Sequence, residues 1–88
     1  MTQHGVYTLT TATRLTPPGV HSGLSITVQN ISDEDNVYIG GEDVTTSSFG
    51  TALSPAAGIS VDLVSGHDAL YAIGDTSSSQ IAILIVSL

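Results

Sequence analysis

Apolar side chains alternate with Ser, Thr and Gln along most of this chain, and no stretch carries the apolar stripe of a helix. The clearest instance follows Gly23, where Leu24, Ile26 and Val28 alternate with Ser25, Thr27 and Gln29 and so predict a strand with one core face. Val37 to Ile39 reads as the next strand, ended by Gly40-Gly41. The intervening Ser32-Asp33-Glu34-Asp35-Asn36 is turn chemistry, so the two are predicted to form a hairpin. Ile59, Val61 and Leu63 alternate with Ser60 and Asp62. Ser65-Gly66-His67-Asp68 then turns the chain toward Ala69 to Ile73, which predicts a second hairpin. Between them, Val44 to Gly50 reads as a polar loop around a short strand. Thr51 to Leu53 leads into Ser54-Pro55-Ala56-Ala57-Gly58, a turn that Gly58 is expected to close. The Thr-rich stretch Val6 to Leu15 forms one or two strands, and Pro17-Pro18-Gly19 interrupts pairing after it.

Gln80 to Leu88 differs because both of its faces are apolar: Ile81, Ile83 and Ile85 on one, Ala82, Leu84, Val86 and Leu88 on the other. Such a strand is either central in its sheet or has one face sealed by another subunit, since a bare row of this kind invites aggregation. The pattern as a whole predicts an all-β chain. We expect a single small β-sandwich or barrel-like domain over 1–88, with about six to eight mostly antiparallel strands. Residues 1–15 form an N-terminal docking arm or an edge strand.

Composition narrows the function. A chain of 88 residues buries only a little over ~60% of its unfolded surface. With no Cys to staple it, added support is expected from oligomerisation or from docking on a larger body. One cation, Arg14, stands against eight acidic residues, a formal charge of −7. That balance cannot neutralise phosphates, so neither nucleic acid nor an anionic membrane is an expected partner. Met1-Thr2-Gln3-His4-Gly5 lacks the basic start and apolar core of a secretory peptide, and the run Ile81 to Val86 is too short to span a bilayer. Synthesis in a cytoplasm is expected.

The chemistry-bearing residues read as structural. Asp33-Glu34-Asp35-Asn36 clusters oxygens but lacks the Gly and the bidentate Glu of a calcium loop, and Glu42-Asp43 joins it only if the fold brings the loops together. Ser65, His67 and Asp68 are the residue types of a hydrolytic triad, but neighbours in sequence do not line up as nucleophile, base and orienter. His4 and His21 stand alone in polar segments. Tyr7, Tyr38 and Tyr71 could stack on sugars, but the last two lie within aliphatic strands, where the ring is expected to be buried. No catalytic, metal or cofactor residues are assigned, and the protein is expected not to be an enzyme.

The order Thr8 to Leu15, Ile26 to Asn30, Val37 to Gly41, Val44 to Thr46, Leu53 to Gly58 and Leu70 to Ile73 resembles a small all-β domain common in structural proteins of tailed bacteriophages. Pro55-Ala56-Ala57-Gly58 departs from it, being longer than a plain Pro-Gly turn. The resemblance implies a virion component made in the bacterial cytoplasm. A domain this short, with no coiled coil or collagen-like repeat, fits a capsid decoration protein better than a whole fibre. The implied partner is the major capsid protein on the outer surface of the head, and the implied assembly a small homo-oligomer, with a trimer favoured. Thr2, Gln3, His4, Val6, Tyr7 and Leu9 of the N-terminal segment, with Ile81, Ile83 and Ile85, are the candidate capsid or subunit contacts. The alternative is a tail- or fibre-associated domain that recognises a host glycan or surface protein.

Overall fold

The computed structural model describes residues 2–17, 22–66 and 68–87. Eight strands account for its regular structure: β1 Thr2–Thr8, β2 Thr13–Arg14, β3 Leu24–Asn30, β4 Val37–Gly40, β5 Thr51–Leu53, β6 Gly58–Leu63, β7 Tyr71–Gly74 and β8 Gln80–Ser87. They form two antiparallel four-stranded sheets, in the orders β1-β8-β3-β6 and β2-β7-β4-β5. The pairings β1 with β8, β2 with β7, β3 with β6 and β4 with β5 are nested, as if one long hairpin had been folded over on itself. This is jelly-roll strand order, an all-β sandwich built of two Greek keys.

Alternation decides which side chains enter the core. Leu24, Ile26 and Val28 of β3 face inward with Ile81, Ile83 and Ile85 of β8, and meet Val37, Ile39, Leu53 and Ala72 of the other sheet. Leu9 and Leu15, flanking β2, and Leu63 of β6 complete that cluster. β8 lies between β1 and β3 and is therefore a central strand. Its second apolar row faces out: Leu84 and Val86 stay 42% and 39% exposed.

Neither predicted hairpin forms. β3 and β4 lie in different sheets, as do β6 and β7, so both connections are arches across the sandwich. Hydrogen-bonding turn residues suit either geometry, and inward aliphatics on both strands are satisfied equally by facing each other across a core. Among the described residues the only consecutive strands that pair are β4 and β5, joined by a loop whose tip is pinned by the Thr45–Ser48 bridge. The Val6–Leu15 stretch gives two strands, the first starting earlier, at Thr2. The residues of the proline turn from Pro18 to His21, and His67 in the second turn, lie outside the described residues.

Gly58 does not close its turn but opens β6. The turn is Ser54-Pro55-Ala56-Ala57, closed by the Ala57 N–H donating to the Ser54 carbonyl (2.9 Å). Pro55 presets φ at the second position and Ala56 takes φ 70°, the left-handed conformation that normally selects Gly.

Candidate functional site

Four connections, β1–β2, β3–β4, β5–β6 and β7–β8, gather at one end of the sandwich and are laced together. Asn30 is the hinge. As the inward-facing last residue of β3 it continues the phase of Leu24, Ile26 and Val28, so its amide is fully buried. Its Nδ2 donates to the Asp35 carbonyl (2.7 Å) and to the Leu53 carbonyl (2.9 Å), and its Oδ1 accepts from the Ser32 N–H (2.9 Å). One side chain thus shapes the acidic arch and ties it to β5 of the opposite sheet. Ser32 Oγ accepts from the Gln80 N–H (2.8 Å), and the Leu9 N–H donates to the Ser79 carbonyl (2.7 Å).

Two carboxylates complete the lacing. Asp35 Oδ2 accepts from the hydroxyls of Thr76 (2.7 Å) and the buried Ser79 (3.0 Å). Asp75 accepts from the Asn36 N–H (2.9 Å) and the Tyr38 hydroxyl (2.7 Å). Those two donors, the backbone N–H first, hold the Asp75 carboxyl below the usual carboxylate range. The same bond raises the Tyr38 phenol above its ordinary value, because losing the proton would leave two anions in contact. Between the arch and the β7–β8 turn opens a polar cleft of about 500 Å³, with Asp33, Glu34 and Asp35 on one wall and Thr76, Ser78 and Gln80 on the other. It favours cationic groups by its charge. No cluster of His, Cys, Asp and Glu among the described residues is arranged to hold a metal ion.

The predicted contact residues separate into two sets. Thr2, Gln3, His4, Val6 and Tyr7 lie on β1, an edge strand of the first sheet, and are exposed. Leu9, Ile81, Ile83 and Ile85 are buried in the chain's own core, which takes them out of any contact surface of the folded chain. The sequence pattern shows that β8 has two apolar faces, and the structure turns the isoleucine row inward. The exposed face is built instead from Ala82, Leu84 and Val86 of β8, with Val6, His4 and Thr2 opposite them on β1 and Gln29, Thr27 and Ser25 opposite them on β3. Ser60 and Asp62 of β6 extend it, with Thr27 Oγ1 and Ser60 Oγ 2.8 Å apart. Asp62 is the one charged side chain on these outward strand positions; the other seven acidic residues lie in connections.

The second sheet's outer face corrects the reading of the tyrosines. Val37 and Ile39 take the core positions of β4, which turns Tyr38 outward, and Ala72 and Gly74 do the same for Tyr71 on β7. Tyr38 lies 4.7 Å from the Phe49 ring, centroid to centroid. Tyr71 lies opposite Gly40 on one side and Arg14 on the other, with the Arg14 guanidinium 6.0 Å from its ring centre. Arg14 also donates to the carbonyls of Thr16 (3.2 Å) and Pro17 (3.0 Å). The strict alternation Val37-Tyr38-Ile39 is the signal that would have placed Tyr38 outside.

Ser65 and Asp68 belong to the β6–β7 connection, and His67 between them is outside the described residues, as is His21. The described residues contain no helix long and apolar enough to cross a membrane. Comparison with protein-family models, with curated proteins and with solved structures found no match to this chain.

Proposed function

We propose that this chain is a non-enzymatic structural protein of a tailed-phage virion, a decoration protein that binds the major capsid protein on the outer surface of the head and stabilises the shell. The observation that carries this reading is the separation of charge on the sandwich. A chain of net charge −7 keeps one broad sheet face almost free of charge, while seven of its eight acidic residues lie in the connections. A neutral face with an apolar row suits docking on a protein lattice, and acidic loops suit a surface turned to solvent. Stabilisation needs no chemistry: a protein that binds the assembled shell in preference to free subunits stabilises it by mass action, about 2.7 kcal/mol per site at ~100-fold excess over Kd. The test is the thermal disruption of undecorated heads with and without added protein. A raised disruption temperature is expected. Saturating binding with an unchanged temperature would remove the cementing role.

A second reading, recognition of a host glycan by a tail- or fibre-associated domain, is favoured by the outward Tyr38, packed against Phe49 of the β4–β5 connection, and by the outward Tyr71 on the same sheet. It ranks second because the flanking polar groups, Asp75 and Arg14, already bond within the chain. Binding to glycan arrays or host cells, without binding to empty heads, would reverse the order.

A further inference from the structure

β1 occupies the edge of its sheet. Every second residue of an antiparallel edge strand turns its N–H and C=O away from the neighbouring strand, so about half of the backbone groups of Thr2–Thr8 point outward. Edge strands are ordinarily protected by Lys, by Pro, by a bulge or by an inward charge. β1 has none of these. Its register with β8 is unbroken from Thr2 opposite Val86 to Thr8 opposite Gln80, and its sequence Thr-Gln-His-Gly-Val-Tyr-Thr contains no Pro and no Asp, Glu, Lys or Arg. Val6 projects from it 62% exposed. The opposite edge of the same sheet, β6, is guarded by Asp62.

We propose that β1 is the self-association edge of this protein: two copies join by antiparallel β1–β1 pairing about a two-fold axis, making one continuous eight-stranded sheet. Charge permits a second copy there, because β1 sets no carboxylate against a carboxylate. A like-charged molecule of net charge −7 is repelled by the acidic connections and can approach closely only where charge is absent, along β1 and the face beside it. The strand is also self-complementary. Pairing centred on Gly5 uses all seven residues and sets His4 against Val6, Gln3 against Tyr7 and Thr2 against Thr8 of the other copy. Each exposed Val6 then packs beside a partner imidazole and across from Ala82 of its own β8. Such an interface is isologous and closes at two copies, so the unit in solution is a dimer and not the trimer that the family resemblance implies. The inference stands independently of capsid binding.

Sedimentation equilibrium of the purified protein tests it. The expected mass is twice that of the 9.0 kDa chain. The double variant His4→Lys/Val6→Lys sets lysines opposite lysines across the two-fold, and is expected to sediment as a monomer with an unchanged circular-dichroism spectrum, since both positions are exposed. Leu84→Ser alters the outer face on β8, beside His4, while leaving every residue of β1 itself unchanged, and is expected to remain a dimer. Three results would overturn the proposal: a monomeric native chain at concentrations up to ~1 mM, a dimer that survives both lysines, or a dimer abolished by Leu84→Ser alone, which would identify face-to-face packing. Failure of the dimer to bind undecorated heads would count against decoration and leave the edge assignment intact.

Discussion

Replacing Asn30 with Ala removes the side chain that holds the acidic arch to both sheets. Three hydrogen bonds of 2.7, 2.9 and 2.9 Å are lost, and the Leu53 carbonyl is left without this partner in the interior. At about 1 kcal/mol per bond the substitution costs ~3 kcal/mol, and more if the stranded groups find no water. A chain of this length is stabilised by only about 4–13 kcal/mol in all, and each kcal/mol is worth about 4–8 °C, so a fall in Tm of ~12–24 °C is expected. Urea unfolding followed by tyrosine fluorescence gives the free energy, with Gln29→Ala as the control. Gln29 is exposed, makes one 3.4 Å bond to the Ala56 carbonyl, and should cost under ~0.5 kcal/mol when replaced. Asn30→Asp sharpens the test, because a carboxylate facing two carbonyls must be protonated to donate. The folded-state pKa of that Asp is then raised, and the variant should gain stability as pH falls and lose it as pH rises. A loss below ~1 kcal/mol for Asn30→Ala at unchanged m-value would refute the reasoning, since it would mean that the arch holds its shape without Asn30.

Ala56→Gly should raise Tm by about 2–4 °C: relief of the left-handed backbone, worth ~1 kcal/mol or more, outweighs the added freedom of the unfolded chain. Gly74→Ala should cost ~1–3 kcal/mol in urea melts, because a Cβ there meets the Cβ and Oγ of the buried Ser79 and displaces it from Asp35; paired with Ser79→Ala, which keeps the Cβ contact but has no bond to Asp35 left to lose, the loss should fall short of the two singles summed. Asp75 carries a depressed carboxyl, so its contribution to stability is complete above the ordinary Asp range near ~3.9 and is lost as pH falls through the lower folded value; Asp75→Asn should remove that part of the acid transition in pH-dependent melts. The same variant should bring the Tyr38 phenol back toward its ordinary value in an ultraviolet tyrosinate titration, and an unmoved phenol would mean that the Tyr38–Asp75 bond does not persist in solution.

Alternation in the sequence carries the inside-outside assignment well and the pairing poorly. Leu24, Ile26 and Val28 are legible as a core face because period two fixes their side without any knowledge of neighbours. Which strand lies beside β3 is not legible, since Ser32 to Asn36 has the turn chemistry of a hairpin and of an arch alike. The deciding residue is Asn30: a buried-phase polar amide at the end of an aliphatic strand signals a chain leaving its sheet, where irregular carbonyls need a donor. β8 illustrates a different limit. Ile81, Ile83, Ile85 and Ala82, Leu84, Val86 are both wholly apolar rows, so alternation alone does not tell which is core, and the assembled sandwich buries the bulkier isoleucines. The aromatic face was obscured by composition, because Tyr71 points outward for the small Ala72 and Gly74 to face the interior, with Gly74 close against Ser79.

The nested strand order has a consequence for how the chain reaches its native state. Pairing starts most cheaply at β4–β5, whose ends are nearest in sequence, and each further pair closes a longer loop, out to β1–β8, where Thr2 meets Val86. Because β8 lies between β1 and β3, the first sheet has no ladder connecting β1 to the rest until the last of the eight strands has left the ribosome. Until then the inward row of β3, Leu24, Ile26 and Val28, belongs to a sheet laddered only to β6, and the nascent chain is at its most adhesive before β8 emerges to cover the open edge of β3.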